Sequence, residues 1–261
     1  MPFFKPDKLP RLMVAPNGAR KIKKDHPAVP LTIKETVEVA KSCYDSGARA
    51  IHLHVRDENG KHVLDAGLYK EALKELEYKV PKIHIQVTTE AIGIYSPEDM
   101  RKLAYDVTPP GTSIGTSELI PSRKPNEEDI KLYKYLTEAG TKIQHILYNP
   151  EDIDLLVELL KKADIPVEGA WCLFVIGHYS GKVSYPENIP PFIKKMKDHD
   201  ANLDWAICAF AKEEIECLKK AINLGGKIRV GFENSLFMPN GELATDNQSK
   251  VKAVNDLFQL S

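Results

Sequence analysis

The chain has 261 residues, 43% of them hydrophobic and 28% charged, which is enough apolar material for one large α/β domain or two small ones. Its 36 basic and 37 acidic side chains nearly cancel to a net charge of −1, leaving no field that would favour nucleic acid or an anionic membrane, so small-molecule partners are expected. No stretch reaches the roughly 18 apolar residues of a membrane span, and the N-terminus MPFFKPDKLPRLMVAP lacks a signal-peptide run, which predicts a soluble cytoplasmic protein.

Short β-branched runs alternate with amphipathic helical segments from end to end, the pattern of parallel strands joined by crossover helices. The first predicted strand is Arg11 to Ala19. After a loop rich in Lys and Pro, Thr32-x-x-Glu35 reads as the capping box of a helix from Thr32 to Ser46 that stops near Gly47. The second strand, Ala48 to Asp57, carries His52 and His54, and a helix from Gly67 to Tyr78 follows. Lys82 to Glu90 is the third strand, after which Ser96-Pro97 supplies an N-cap and a proline at the first helical position. Asp106 to Glu118 reads as a fourth strand with a Gly/Thr/Ser-rich end, leading to a helix from Asn126 to Ala139. The fifth strand is Thr141 to Tyr148, with Asn149-Pro150 capping a helix that ends near Ala163. Strands six to eight are Val167 to Ile176, Leu203 to Ala211 and Ile228 to Glu233; helices near Ile189 to Lys197, Glu213 to Leu224 and Asp246 to Leu260 follow them. Eight β/α units without a linker or low-complexity break predict an α/β fold, a single-domain (β/α)8 TIM barrel over residues 1–261. A doubly wound open sheet is the weaker alternative, because no G-x-G-x-x-G follows the first strand. Cys43, Cys172, Cys208 and Cys217 lack C-x-x-C spacing and read as buried, reduced thiols.

Side chains at i and i+2 of a strand share one face, about 6.6 Å apart along it, so His52 and His54 can share one metal ion. Ile51, Leu53 and Val55 suit the opposite face, beneath a helix, while Arg56 continues the histidine face and Asp57 opens the next loop. A pair of core histidines satisfied by neighbours is the alternative. Barrel active sites lie at the carboxyl ends of the strands. Polar residues gather there: Asn17 and Arg20, the histidines, Thr88, Thr89 and Glu90, Thr116, Ser117 and Glu118, Tyr148 and Asn149, His178, and Glu233-Asn234-Ser235. Arg229, Gly231 and Glu233 share one parity, so an inward Glu233 stands at the histidine end with Arg229 below it. Two histidines and a carboxylate with open positions make the arrangement of catalytic zinc, a Lewis acid for a bound carbonyl. An ion pair between Glu233 and Arg229 is the structural alternative. His84, His145, Trp171 and Trp205 read as core, whereas His26, His62 and His199 lie in polar surroundings and carry no signal.

Four segments, APNGAR at 15–20, SGARAIHLHVRD at 46–57, IQVTTE at 85–90 and IRVGFENSLF at 228–237, resemble in order and spacing those of the β-keto acid cleavage enzymes. The resemblance implies a (β/α)8 barrel and a Zn2+ cofactor whose ligands fall on His52, His54 and Glu233. It also implies a homotetramer and a reaction between a β-keto acid and acetyl-CoA that yields acetoacetate and a new acyl-CoA. The family's arginine before the glutamate matches Arg229, and its hydroxyl residue ending strand three matches Thr88; Asn17 and Thr116 are further substrate-binding candidates. Two positions depart from the family pattern. Asn234 stands where the characterised enzyme has an aspartate base, and because asparagine cannot accept a proton, Glu90, Glu118 and Asp57 become the candidates, with Glu90 and Glu118 preferred for their places at strand ends. Arg20 stands where a glutamate binds the substrate's ammonium group, and the reversed charge predicts a substrate with an anionic far end held by the guanidinium fork. The alternative for Arg20 is a solvated basic loop with Lys21, Lys23 and Lys24. For the whole protein the alternatives are a metal-dependent lyase or hydrolase acting without CoA, and a metal-dependent binding protein that has lost its base.

Overall fold

The computed structural model describes residues 3–177 and 183–260, the side chain of Lys212 excepted. Among them, eight short parallel strands pair in sequence order: β1 (Leu12–Val14), β2 (Ala50–Leu53), β3 (His84–Thr88), β4 (Gly111–Gly115), β5 (Lys142–Leu147), β6 (Trp171–Ile176), β7 (Asp204–Ala209) and β8 (Lys227–Val230). The last strand closes on the first, with Met13 beside Arg229, and the expected (β/α)8 barrel results, as one domain. The crossovers carry α1 (Ile33–Asp45), α2 (Ala66–Lys79), α3 (Pro97–Val107), α4 (Thr116–Leu119), α5 (Glu127–Glu138), α6 (Asp152–Lys162), α7 (Ile189–Asp198), α8 (Glu214–Asn223) and α9 (Asn247–Phe258). None of the described helices is long and apolar enough to cross a membrane.

The period-2 alternation of the strands divides the core in two. Leu12, Val14, Ile51, Leu53, Ile85 and Val87 point outward and join the apolar faces of the helices. Met13, Ala50, Ile146, Trp171, Leu173, Val175, Ala206 and Cys208 form a second cluster inside the barrel. Local signals set the helix starts: Thr32 and Glu35 make the expected capping box on α1, and Ser96 caps α3 with Pro97 in its first turn.

The differences lie at strand ends. Only Gly111–Gly115 of the fourth predicted strand is extended; Asp106 and Val107 complete α3, which stops at left-handed Thr108 before Pro109-Pro110, and Thr116 starts α4. Asn149 does not cap the next helix. Asp152 Oδ2 instead accepts from the N–H groups of Tyr148 and Asn149, at 2.9 and 3.0 Å. The first strand ends at Val14 and the eighth at Val230, short of the predicted Ala19 and Glu233. Gly231 takes the chain out of β8 at φ +136°, packed so closely on β1 that a Cβ would lie 2.3 Å from Ala15 O.

Candidate active site

His52 on β2 and His54 just beyond it face the barrel mouth, with their Nε2 atoms 3.0 Å apart. Glu233 reaches them by a route that strand parity did not describe. Beyond Gly231 the chain folds into a tight turn in which the N–H groups of Asn234 and Ser235 both donate to Gly231 O, and the Glu233 N–H donates to Ala15 O at 3.1 Å. Because β8 closes on β1, this turn hangs the carboxylate over the neighbouring β2. Glu233 Oε2 lies 3.6 Å from His52 Nε2 and 3.5 Å from His54 Nε2. Arg229 Nη2 donates to the other oxygen, Oε1, at 2.8 Å, so the ion pair weighed as an alternative exists alongside the histidine contact. Oε2 has no hydrogen-bond partner among the described residues.

The hydrogen-bond partners of the rings decide what the three groups can hold. His52 Nδ1 lies 2.7 Å from Gln86 Oε1, an acceptor, so Nδ1 carries the proton and Nε2 a lone pair. His62 Nε2 donates to Glu90 O at 3.1 Å, leaving its Nδ1 to accept from His54 Nδ1 at 3.4 Å, and His54 Nε2 is again a lone pair. Burial, then Arg229 for His52 and His62 for His54, keeps both imidazoles well below their usual pKa and therefore neutral. Two lone pairs and a carboxylate oxygen thus converge with no proton between them, an arrangement that repels itself until a cation enters. Their separations of 3.0 to 3.6 Å bracket the edge of a tetrahedron with ligand bonds of about 2.0–2.1 Å, roughly 3.3–3.4 Å. His52, His54 and Glu233 fit a metal ion, with one face left to the cavity.

That cavity holds about 280 Å³. Arg20, Thr88, Glu90, Ser113, Glu118, Tyr148 and Arg229 form its polar wall, while Ile92, Ile146, Val175 and Phe210 form an apolar one. Glu90 Oε2 stands 3.7 Å from His54 Nε2. Burial, and then the carboxylates of Glu233 and Glu118, push the Glu90 pKa up to about 8. Glu118 is also raised by burial, against hydrogen bonds from the Tyr148 hydroxyl and the Ala91 N–H.

Other predicted residues lie outside the cavity lining. Asn17 is buried and its Nδ2 donates to Pro30 O at 3.0 Å and His54 O at 3.4 Å, fastening the first loop to the histidine strand. Thr116 and Asn234 are buried with their side-chain polar atoms unpartnered among the described residues. Asp57 Oδ1 accepts from the N–H groups of Asn59 and Lys61 and so belongs to a turn. Arg56, expected on the histidine face, donates to the carbonyls of Gly18, Ala19, Lys21 and Gly60 and so holds the loop that carries Arg20. His62 is the clearest correction: it is buried against His54, because the bridge between Arg56 and His62 folds its segment back over the strand. His26 is also buried, edge-on to Phe232. His178 lies outside the described residues. Sequence reasoning does not single out Gln86 and Gln144; their position at the inward parity of β3 and β5 is the available signal.

Residues 11–260 match the family model described as beta-keto acid cleavage enzyme. The chain is 28% identical over 241 residues to the 3-keto-5-aminohexanoate cleavage enzyme of Acetoanaerobium sticklandii, covering 91% of this chain and 87% of that protein. It is 22% identical over 254 residues to the 3-oxoadipate:acetyl-CoA acetyltransferase of Cupriavidus necator, covering 95% and 88%. Among solved structures, the ternary complex of ObcA with a C4-CoA adduct and oxalate shares the fold at a TM-score of 0.70 and 14% identity, over 89% of this chain and 64% of that one.

Proposed function

Because the chain belongs to the β-keto acid cleavage enzyme family, we propose that it is a zinc-dependent C-acyltransferase that converts a β-keto acid and acetyl-CoA into acetoacetate and a new acyl-CoA. The convergence of two imidazole lone pairs and the Glu233 carboxylate oxygen, with no proton among them, carries this reading. Zinc bound to His52, His54 and Glu233 would polarise the substrate carbonyl and stabilise the enolate formed from it.

Glu90 is the base. It lies beside His54 and lines the cavity, whereas Asn234 cannot accept a proton and Glu118 is engaged by Tyr148 and Ala91. Its carboxylate faces the cavity where the substrate carbon would be held, within reach of a proton beside the metal. Thr88 Oγ1 accepts from the Glu90 N–H at 3.0 Å, which leaves its hydroxyl proton to be donated to a substrate oxygen. Arg229 lines the cavity floor with its guanidinium aligned on Glu233, and offers positive charge to the carboxylate end of a keto acid. Arg20, on the same cavity and exposed to solvent, binds an anionic group at the far end of the substrate. The apolar wall of Ile146, Val175 and Phe210 takes the carbon chain between them.

The test is a coupled assay of the zinc-loaded protein with acetyl-CoA and a panel of β-keto acids, following acetoacetate. Acetoacetate formation that needs both reactants is expected. Turnover of a keto acid without CoA, or no turnover across the panel, would overturn the assignment.

A further inference from the structure

The tautomer that lets His52 present a lone pair is decided on three other strands. The inward positions of β4 are Gly111, Ser113 and Gly115, small enough for side chains from β3 and β5 to meet across them. Gln86 Nε2 on β3 donates to Gln144 Oε1 on β5 at 2.8 Å, although these strands are not paired. Gln144 Nε2 donates in turn to the backbone carbonyl of Cys172 on β6 at 3.3 Å.

A backbone carbonyl can only accept, and from that the direction of the whole chain follows. Gln144 turns its nitrogen to Cys172 and its oxygen to Gln86; Gln86 turns its nitrogen to Gln144 and its oxygen to His52 Nδ1. Gln86 and Gln144 are 0% and 1% exposed, so water does not replace either partner, and flipping one amide would set N–H against N–H or oxygen against oxygen. Elsewhere in the barrel interior Leu173 and Ala206 are apolar. Within the eight strands, side-chain amides occur only at Gln86 and Gln144, where they connect to the histidine.

We propose that Gln86 and Gln144 form a one-way amide relay, anchored on the Cys172 carbonyl, that locks the proton of His52 on Nδ1 and thereby builds the metal site from across the barrel. Both are positioning residues, and the inference rests on the reading of His52, His54 and Glu233 as a metal site. It makes zinc affinity depend on side chains that never touch the ion.

The experiment measures zinc affinity of the full-length apo protein by competition with a chromophoric chelator, the absorption spectrum of the Co2+-substituted protein, and apo-protein melting. Gln86→Met removes the acceptor and is expected to weaken zinc about 10- to 100-fold and alter the Co2+ spectrum. Gln86→Glu keeps an acceptor for the Nδ1 proton and is expected to restore most of the affinity, although it puts a charge into the barrel. Gln144→Met, which leaves Gln86 in place but undirected, should weaken zinc in the same sense by less, and carries the test if Gln86→Met does not fold. A purely structural role predicts the reverse ranking, with Gln86→Glu the worst variant and the zinc affinity of folded Gln86→Met unchanged; that result would overturn the relay. If wild type and His52→Ala hold zinc equally weakly, the metal reading itself falls. If only His52→Ala loses zinc, the relay alone falls.

Discussion

The two halves of the barrel interior obey different rules although one strand periodicity builds both. On the side of β2, β3 and β5, His52, Gln86 and Gln144 form a buried hydrogen-bonded layer; on the side of β6 and β7, Leu173, Ala206 and Cys208 pack as ordinary core. An unsatisfied buried polar group costs about 1–3 kcal/mol, so the polar half is specified by the direction of each donor and acceptor. The apolar half is specified only by volume. Arg229 sits on the seam, its Nη2 2.8 Å from Glu233 Oε1 and 3.5 Å from Cys208 Sγ. Polar substitutions should therefore alter chemistry more than stability, and apolar ones the reverse.

Breaking the polar half at its centre should have the largest effect. His54→Ala or Glu233→Gln should lower zinc affinity by well over the roughly 100-fold expected for loss of a supporting partner, and abolish acetoacetate formation. Metal content after dialysis and the coupled assay check this; full zinc occupancy in either variant contradicts it. Next is Glu90→Gln, expected to lower kcat about 100- to 10,000-fold while zinc content stays at wild-type level, with Glu118→Gln milder. Equal losses for both variants would remove the distinction drawn between these carboxylates.

Leu173→Ala tests the other half. The side chain is fully buried, and its truncation should cost about 2–5 kcal/mol in urea unfolding while leaving the zinc affinity of the folded protein intact. A parallel fall in affinity would mean that the two halves are not independent. Arg20→Glu should turn preference from acidic toward amino-bearing keto acids by about 10- to 100-fold in kcat/KM, the range of one charge-assisted hydrogen bond of about 1.5–3 kcal/mol. An unchanged preference would return Arg20 to the solvated loop.

The smallest effect lies outside the barrel. Burial pushes Glu35 up, but Lys23 and the N–H groups of Leu31 and Thr32 pull it further down, from 4.5 to about 2. Its ionised form stabilises the fold above pH 4.5, and that contribution is lost as pH falls toward 2. The melting-temperature gap between wild type and Glu35→Gln should be constant near neutral pH and close on the acid side. A gap that widens in acid would reverse the sign.

Much of this architecture is written locally. Thr32 with Glu35, and Ser96 with Pro97, start their helices through contacts three residues long, so neighbours in the chain are enough to read them. Alternation along Ile51-His52-Leu53-His54 placed both histidines on one face for the same reason. Glu233 does stand over the two histidines, but not by the expected route: parity assumes a strand to position 233, while Gly231 ends it early and a turn completes the reach. His62 was passed over because its polar neighbours in sequence are not its neighbours in space.

The amino-acid sequence by itself determined the β/α alternation, the helix caps and the inward face of the histidine strand, because each depends on residues within a turn or two of one another. Only the tertiary structure decided which lone pair His52 offers, where the Glu233 carboxylate hangs and that His62 backs His54. Those outcomes depend on closing β8 against β1 and on hydrogen bonds between residues 34 and 58 positions apart, whose direction exists only once water has been excluded from the barrel.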